Sequence, residues 1–388
     1  MTGHPASGRF LPLLFLVILV ASPGESFATR ILVPEEMSLA SAIDVAVAGD
    51  TLSLAPGSYE RTPDPFIKEI VIEGRIPDDP PVLRRLEAGG VTLRHLHFEP
   101  DGPGGVNPVL LRLLGSAWLH GCTFRGFSST AVDIRDELDD VEWLVVMDNC
   151  GFSELNVGIE AVLAHDGSRI EIRDTLFHDI RVALGLVTPM RDCPGGPPAE
   201  PPPLGGGPAR IRVTGTTFSN LSEFAIVARN AAWALDMANC TMLESPLGIW
   251  LDRAGARIDH LDLRGIAGSS MGIRALSSRL EMTSSRVYQH AVGIGMTDAE
   301  SCERPAGVIG GSPTGFCMLD MNTLALSTTS AVDADYNWWG TRNCSEAQEV
   351  IQGVMVQYIV DAAGTEVIDC RTPVRPTTWS LIKARRIP

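Results

Sequence analysis

Six residues in this chain could do chemistry together if they share one surface: Asp133, Glu160, Arg229, Trp250, Asp252 and Arg274. Each follows a buried-type apolar residue by one or three places, as in Val132-Asp133, Ile159-Glu160, Ile249-Trp250 and Ile273-Arg274. Alternation of this kind turns them outward on a strand. On neighbouring parallel strands, Asp133 and Glu160 would have backbones about 4.8 Å apart. Carboxylates at that range can serve as acid and base, hold calcium, or simply face water. An exposed Trp250 ring would offer an apolar platform to the C–H face of a sugar. The histidines carry less: His165-Asp166 falls in a corner, His178-Asp179 follows a strand, and His95 and His97 alternate around another. None has the spacing of a metal cluster with a second group.

A repeat positions these residues. The stretch IRVTGTTFSNLSEFAIVA, 211–228, reads as three short strands with a shift of phase at each bend, and it recurs along the chain. Anchored on Phe218, its equivalents are Phe98, Phe124, Phe152, Phe177, Met242, Ile266, Val287 and Leu324. Alternating apolar pairs precede the anchors, such as Val145/Met147 and Ile170/Ile172. A small residue followed by an apolar one comes after them, such as Ala131-Val132, Gly158-Ile159 and Gly248-Ile249. A fixed period built from strands alone is the signature of a solenoid whose turns bury their apolar sides against each other. The expectation is an all-β chain: a single-stranded right-handed parallel β-helix of about 9–11 coils, with a short capping helix at each end.

The pattern resembles the pectin-lyase-like superfamily, and within it the repeats of carbohydrate-binding proteins and sugar hydrolases. ILVPEEMSLASAIDVAVAGDTLSLAPGSYE looks like an entry module of that group, and DADYNWWGT followed by SEAQEVIQGVM looks like its terminal segment. The resemblance covers about residues 30–370 and implies the fold more than any one activity, since the fold hosts lyases, hydrolases, esterases and binding modules. Lyases of this group use carboxylate-bound Ca²⁺ with an arginine base, and hydrolases and esterases use grouped aspartates. This chain lacks a clean N-T-D and an esterase-like G-x-x-D-F-I-x-G, and Asp139-Asp140, the D-D of the repeat region, falls in a corner.

Residues 1–28 read as an export signal: Arg9, the apolar core FLPLLFLVILVA, and a Ser26-Phe27-Ala28 cleavage site. The β-helix is expected over 29–370, with 29–60 as N-terminal cap and first strand and 333–370 as C-terminal cap. The basic, proline-broken tail 371–388 is expected to be partly disordered. Acidic residues outnumber basic ones 47 to 31, for a formal charge of −16. Nucleic acid and anionic membranes need basic patches, so neither is expected as a partner, and no insertion follows signal cleavage. A monomer is expected, secreted or held in the periplasm or cell envelope, with no cofactor required and Ca²⁺ possible.

Two stretches interrupt the repeat, TPMRDCPGGPPAEPPPLGGGPA after Val187 and TDAESCERPAGVIGGSPTGFC after Met296. Both follow the same kind of strand, so both should leave one edge, about 19 Å apart; there they could wall a groove or be tolerated surface decoration. Of the eight cysteines, Cys122 and Cys150 should stack inside on adjacent coils. Cys302 and Cys317 bracket the second interruption and are expected to staple it; Cys344 and Cys370 bracket the C-terminal helix and are expected to lock it. Three functions are compatible with all this: glycan or surface binding without catalysis, a polysaccharide lyase or glycoside hydrolase using the same carboxylates and arginines, or a purely structural envelope role.

Overall fold

The computed structural model describes residues 28–371 apart from 34–37, 61–63, 102–107, 137–140, 164–166, 188–209, 230–233, 267–269, 298–305 and scattered positions between 311 and 330. The export signal, the basic tail, Asp139-Asp140, His165-Asp166, Cys193 and Cys302 lie outside the described residues. Within them the chain winds into a right-handed parallel β-helix of about eleven turns. Three ladders of in-register strands run its length. The first extends from Arg30–Val33 to Ala331–Asp333, the second from Ser58–Tyr59 to Arg286–Tyr288, and the third from Phe66–Ile67 to Ile351–Gln352. No helix among the described residues is long and apolar enough to cross a membrane.

The corners explain the shifts of phase in the sequence. From the coil of His95 to that of Ser284, the corner between the first and second ladders turns on one residue of positive φ: His95, Asn149, Asp174, Asn239, His260 and Ser284, or Gly121 and Gly215. One left-handed residue redirects the strand without lengthening it. Gly adopts that conformation freely, and Asn, Asp and His tolerate it better than most. At the start of the third ladder the small residue has a different cause. A Cβ on Gly158 would stand 2.6 Å from the Ala183 carbonyl oxygen, and one on Gly272 would stand 2.5 Å from that of Gly293. At these two positions the coils meet too closely for any Cβ without a shift of the backbone.

Inside, like stacks on like. Phe98, Phe124, Phe152, Phe177 and Phe218 form a column of near-parallel rings with centroids 4.6 to 5.1 Å apart, and each ring is fully buried. Met242 continues the column in register. The next anchor is Leu263, paired with both Met242 and Val287. Ile266, expected in that place, is 44% exposed in the following corner. Leu263 follows Met242 by 21 residues, against 24 from Phe218 to Met242 and 24 from Leu263 to Val287, because the left-handed turn comes early, at His260. After Val287 the buried position is Leu319, since Arg286 bridges to Met318. Leu324 belongs to the third ladder, opposite Val292.

The second interruption also differs from expectation. Ala306–Ile309 pairs with Arg279–Met282 as a regular rung of the first ladder, so the extra chain divides between two corners. Cys317 consequently faces the interior as a free, buried thiol, near the Met282 carbonyl oxygen at 3.6 Å. Burial pushes its pKa up to about 12, and it does not staple the loop. Cys122 and Cys150 are likewise free and buried on adjacent coils. The C-terminal lock is present: Cys344 bonds to Cys370, 26 residues on, around helix α2 (Cys344–Glu349), which Asn343 caps. At the other end helix α1 (Leu39–Val45), capped by Ser38, buries Leu39, Ala42 and Ile43 against the first coil. It covers strand edges that would otherwise template association.

One corner carries a titratable group in the interior. His290 is 1% exposed, its Nδ1 is 3.0 Å from Ser270 Oγ, and its Nε2 has no hydrogen-bond partner among the described residues. Burial depresses its pKa from 6.5 to about 4. Between those values the unfolded chain binds the proton and the folded chain does not, so stability falls as pH drops through this window. The loss reaches up to about 3 kcal/mol once pH is below 4. In urea titrations at pH 7 and pH 4.5, His290→Leu is expected to flatten this acid loss; an unchanged slope would assign it to other groups.

Candidate functional site

The outward positions of the third ladder make two parallel rows. One runs Arg112, Asp133, Glu160, Gly185, Val227, Trp250, Arg274. The other, two residues later in each strand, runs Val187, Arg229, Asp252, Leu276, Thr297. Strands Leu176–Val187 and Val292–Thr297 end in this second row, and the chain leaves it there for 188–209 and 298–305. The roots of both interruptions thus stand on one edge, four rungs or about 19 Å apart.

The six candidate residues fall into two groups on this face. Asp133 and Glu160 are opposite each other on adjacent coils, while Arg229, Trp250, Asp252 and Arg274 gather between the loop roots. Three rungs, about 14 Å, separate Glu160 from Trp250, with Gly185 and the nearly buried Val227 between them. A single small reactant does not reach both groups.

Asp133 is not an open carboxylate. It is 1% exposed, and its oxygens accept from Arg112 Nε at 3.0 Å and Arg135 Nε at 3.0 Å. The two guanidiniums supply the hydrogen bonds that burial of a charge demands. They also occupy the lone pairs that an acid, base or calcium ligand would use. Glu160, partly buried beside it, is thus left without a second free carboxylate for paired acid–base work. Among the described residues no three of His, Cys, Asp and Glu are grouped to hold a metal ion.

Trp250 is covered in part. The Arg229 guanidinium carbon stands 4.2 Å from the indole centroid and that of Arg274 5.4 Å; Phe224 tilts against the ring at 5.5 Å. The indole Nε1 is buried and has no hydrogen-bond partner among the described residues. Trp250 therefore works as a bracket that spreads two guanidiniums along the face, each held by the ring quadrupole. Asp252 is engaged by Arg253 Nε at 3.3 Å. Arg229 and Arg274 are exposed, and neither has a carboxylate within ion-pair distance among the described residues. Elsewhere arginines are commonly neutralised, as in Arg30–Glu73, Arg125–Glu154, Arg181–Glu223 and Arg279–Glu281. The two cations thus stand two coils apart on an acidic protein, with Trp250 between them and Asp252 opposite Arg229 in the second row.

Sequence reasoning missed a pair of open depressions along the corner between the second and third ladders. One, of about 610 Å³, is lined by Arg84, Glu99, Asp101, Arg125 and Glu154. The other, of about 520 Å³, is lined by Phe127, Asn156, Asp179, Arg181 and Ser222. Phe127 is 84% exposed. Corner residues have no period to reveal them; the signal present was an aromatic directly after Gly126, outside the alternation.

No family model and no curated protein matches the sequence. Among solved structures the chain is similar to pectate lyase Pel9A, at 12% identity over 82% of this chain and 81% of that one, with a TM-score of 0.35. It is also similar to the periplasmic alginate epimerase AlgG, at 10% identity over 79% and 82%, with a TM-score of 0.36. Likenesses of this size carry nothing about substrate or catalysis. The strand pairing itself establishes the parallel β-helix.

Proposed function

We propose that this chain is an exported β-helix that binds an acidic glycan along its third ladder, between the roots of the two interruptions, without cleaving it. The observation that carries the reading is the Arg229–Trp250–Arg274 stack, two exposed cations that have no carboxylate partner among the described residues, held on a sheet. A planar guanidinium matches a carboxylate or sulfate bidentately, and side chains on packed strands are pre-organised, which reduces the entropy lost on binding. The formal charge of −16 disfavours a polyanion in general, so recognition depends on this local arrangement. The export signal read at residues 1–28 supports contact with glycans outside the cytoplasm. The alternative, a lyase or hydrolase, is disfavoured by the double engagement of Asp133.

The test is a glycan-array measurement on the mature chain, with calcium and with chelator, followed by an assay for unsaturated or shortened product on whatever binds. Acidic glycans are expected to bind without product, and Trp250→Ala or Arg229→Ala to weaken them by about 10-fold or more, roughly 1.4 kcal/mol. Product that vanishes in chelator would make the chain a lyase. No binding to any glycan would leave the structural role.

A further inference from the structure

The first ladder presents an indole of a different kind. Trp118 is 52% exposed on a flat stretch of sheet, in register between Thr92 and Val146. In the row beside it stand Arg94, His120 and Asp148. His120 Nδ1 lies 2.7 Å from Asp148 Oδ2, and the His95 ring meets the imidazole edge-on at 5.5 Å, which together fix it. Arg94 occupies one diagonal from the indole. On the other side, past Leu144, which is 46% exposed, stands Arg169. Both arginines are exposed, and neither has a carboxylate within ion-pair distance among the described residues. Farther along the same face the arginines are taken, as in Arg173–Glu171 and Arg257–Glu281.

We propose that this patch is a second saccharide site, for an acidic pyranose stacked on Trp118 with its anionic group on Arg94 or Arg169; the acidic class rests on the reading of the third ladder. A pyranose has one apolar face and a rim of hydroxyls, and the patch has the complementary form: one open aromatic ring with hydrogen-bonding groups around it. A protein partner would need a broader apolar centre than one indole and one leucine. Trp118 and Trp250 stand on different ladders of the prism, so the two sites face different directions and take separate strands of ligand.

Isothermal titration of the mature chain with an oligogalacturonate, an oligoguluronate and a heparin oligosaccharide tests this. At least one is expected to bind with two molecules per chain. Trp118→Ala should leave one, Trp250→Ala should leave the other, and the double variant none, with unchanged circular dichroism. Arg94→Gln combined with Arg169→Gln, a surface change that spares the indole, should weaken only the Trp118 class by about 10-fold or more. If Trp118→Ala leaves stoichiometry and affinity unchanged, the second site is overturned and the third-ladder reading stands. Loss in Trp118→Ala with Trp250→Ala silent would establish this site and overturn the other. No binding by any of the three would overturn both.

Discussion

Phe152→Ala is expected to lower stability by about 3–5 kcal/mol, the largest loss from any single side chain in the phenylalanine column. Phe152 is the middle ring: its neighbours are Phe124 at 4.8 Å and Phe177 at 4.6 Å. Truncation removes one buried aromatic and strips a contact face from two others. The backbone cannot close the gap, because the rung spacing is fixed by the ladders on both sides. Phe98→Ala is expected to cost less, since Phe98 has one ring partner in the column. Guanidinium unfolding followed by circular dichroism measures the difference. Equal losses at the two positions would mean that ring-on-ring packing contributes little beyond burial. Because a solenoid is stabilised by nearest-neighbour interfaces, the Phe152 variant is also expected to unfold over a broader range of denaturant.

Asn337→Ala is expected to cost about 3 kcal/mol or more through an unrelated cause. Asn337 is fully buried. Its Nδ2 donates to the Ile309 and Ala334 carbonyl oxygens at 2.6 and 2.8 Å, and its Oδ1 accepts from the Cys317 backbone N–H at 2.8 Å. These are orphan backbone groups of an irregular corner, where no strand is available to pair them. Removing the side chain leaves three buried polar groups without partners, each costing about 1–3 kcal/mol. Asn337→Asp retains the acceptor and loses the donors, so it should be at least as damaging. Thermal melts of the two variants decide this; an aspartate variant as stable as the parent would show that water replaces the amide.

The resemblance marked Asn337-Trp338-Trp339-Gly340 as part of a terminal segment, and its residues have two different roles. Trp339 is buried in the core, its Nε1 without a partner among the described residues, while the asparagine ties the corner. Bulk is legible in a sequence; a hydrogen-bond target supplied by distant backbone is not. The same distinction runs through the molecule. Interior positions repeat because every coil offers them the same surroundings, so Val132, Ile159, Leu184, Ile226, Ile249 and Ile273 were read in their correct ladder. Ile266 and Leu324 were misplaced where corner lengths vary, because an average period carries no information about where one coil turns early.

Outward residues were legible in direction and not in occupancy. The register that sets Asp133 opposite Glu160 follows from alternation. That Asp133 would be enclosed by arginines one coil before it and two residues after it depends on side-chain reach. Sequence reasoning named Trp250 from its outward place in the strand and did not single out Trp118. The structure gives the larger exposure to Trp118, since the ring before it in the ladder is absent and Thr92 and Val146 are too small to cover it. A tryptophan's neighbours along the sheet, one coil away in each direction, decide whether its face is open.

The edge from which both interruptions spring has a further consequence. Their roots, Val187 and Thr297, are joined by an unbroken series of paired residues, so the distance between the loops is quantised. It can be lengthened or shortened only by whole coils, each adding one strand spacing of about 4.8 Å. Duplication of one coil inside this interval would move the two roots apart by a single step while leaving every buried contact of the same type. The protein is thus an adjustable gauge, and a series of such insertions would test whether the length of a bound glycan follows the spacing of the two roots.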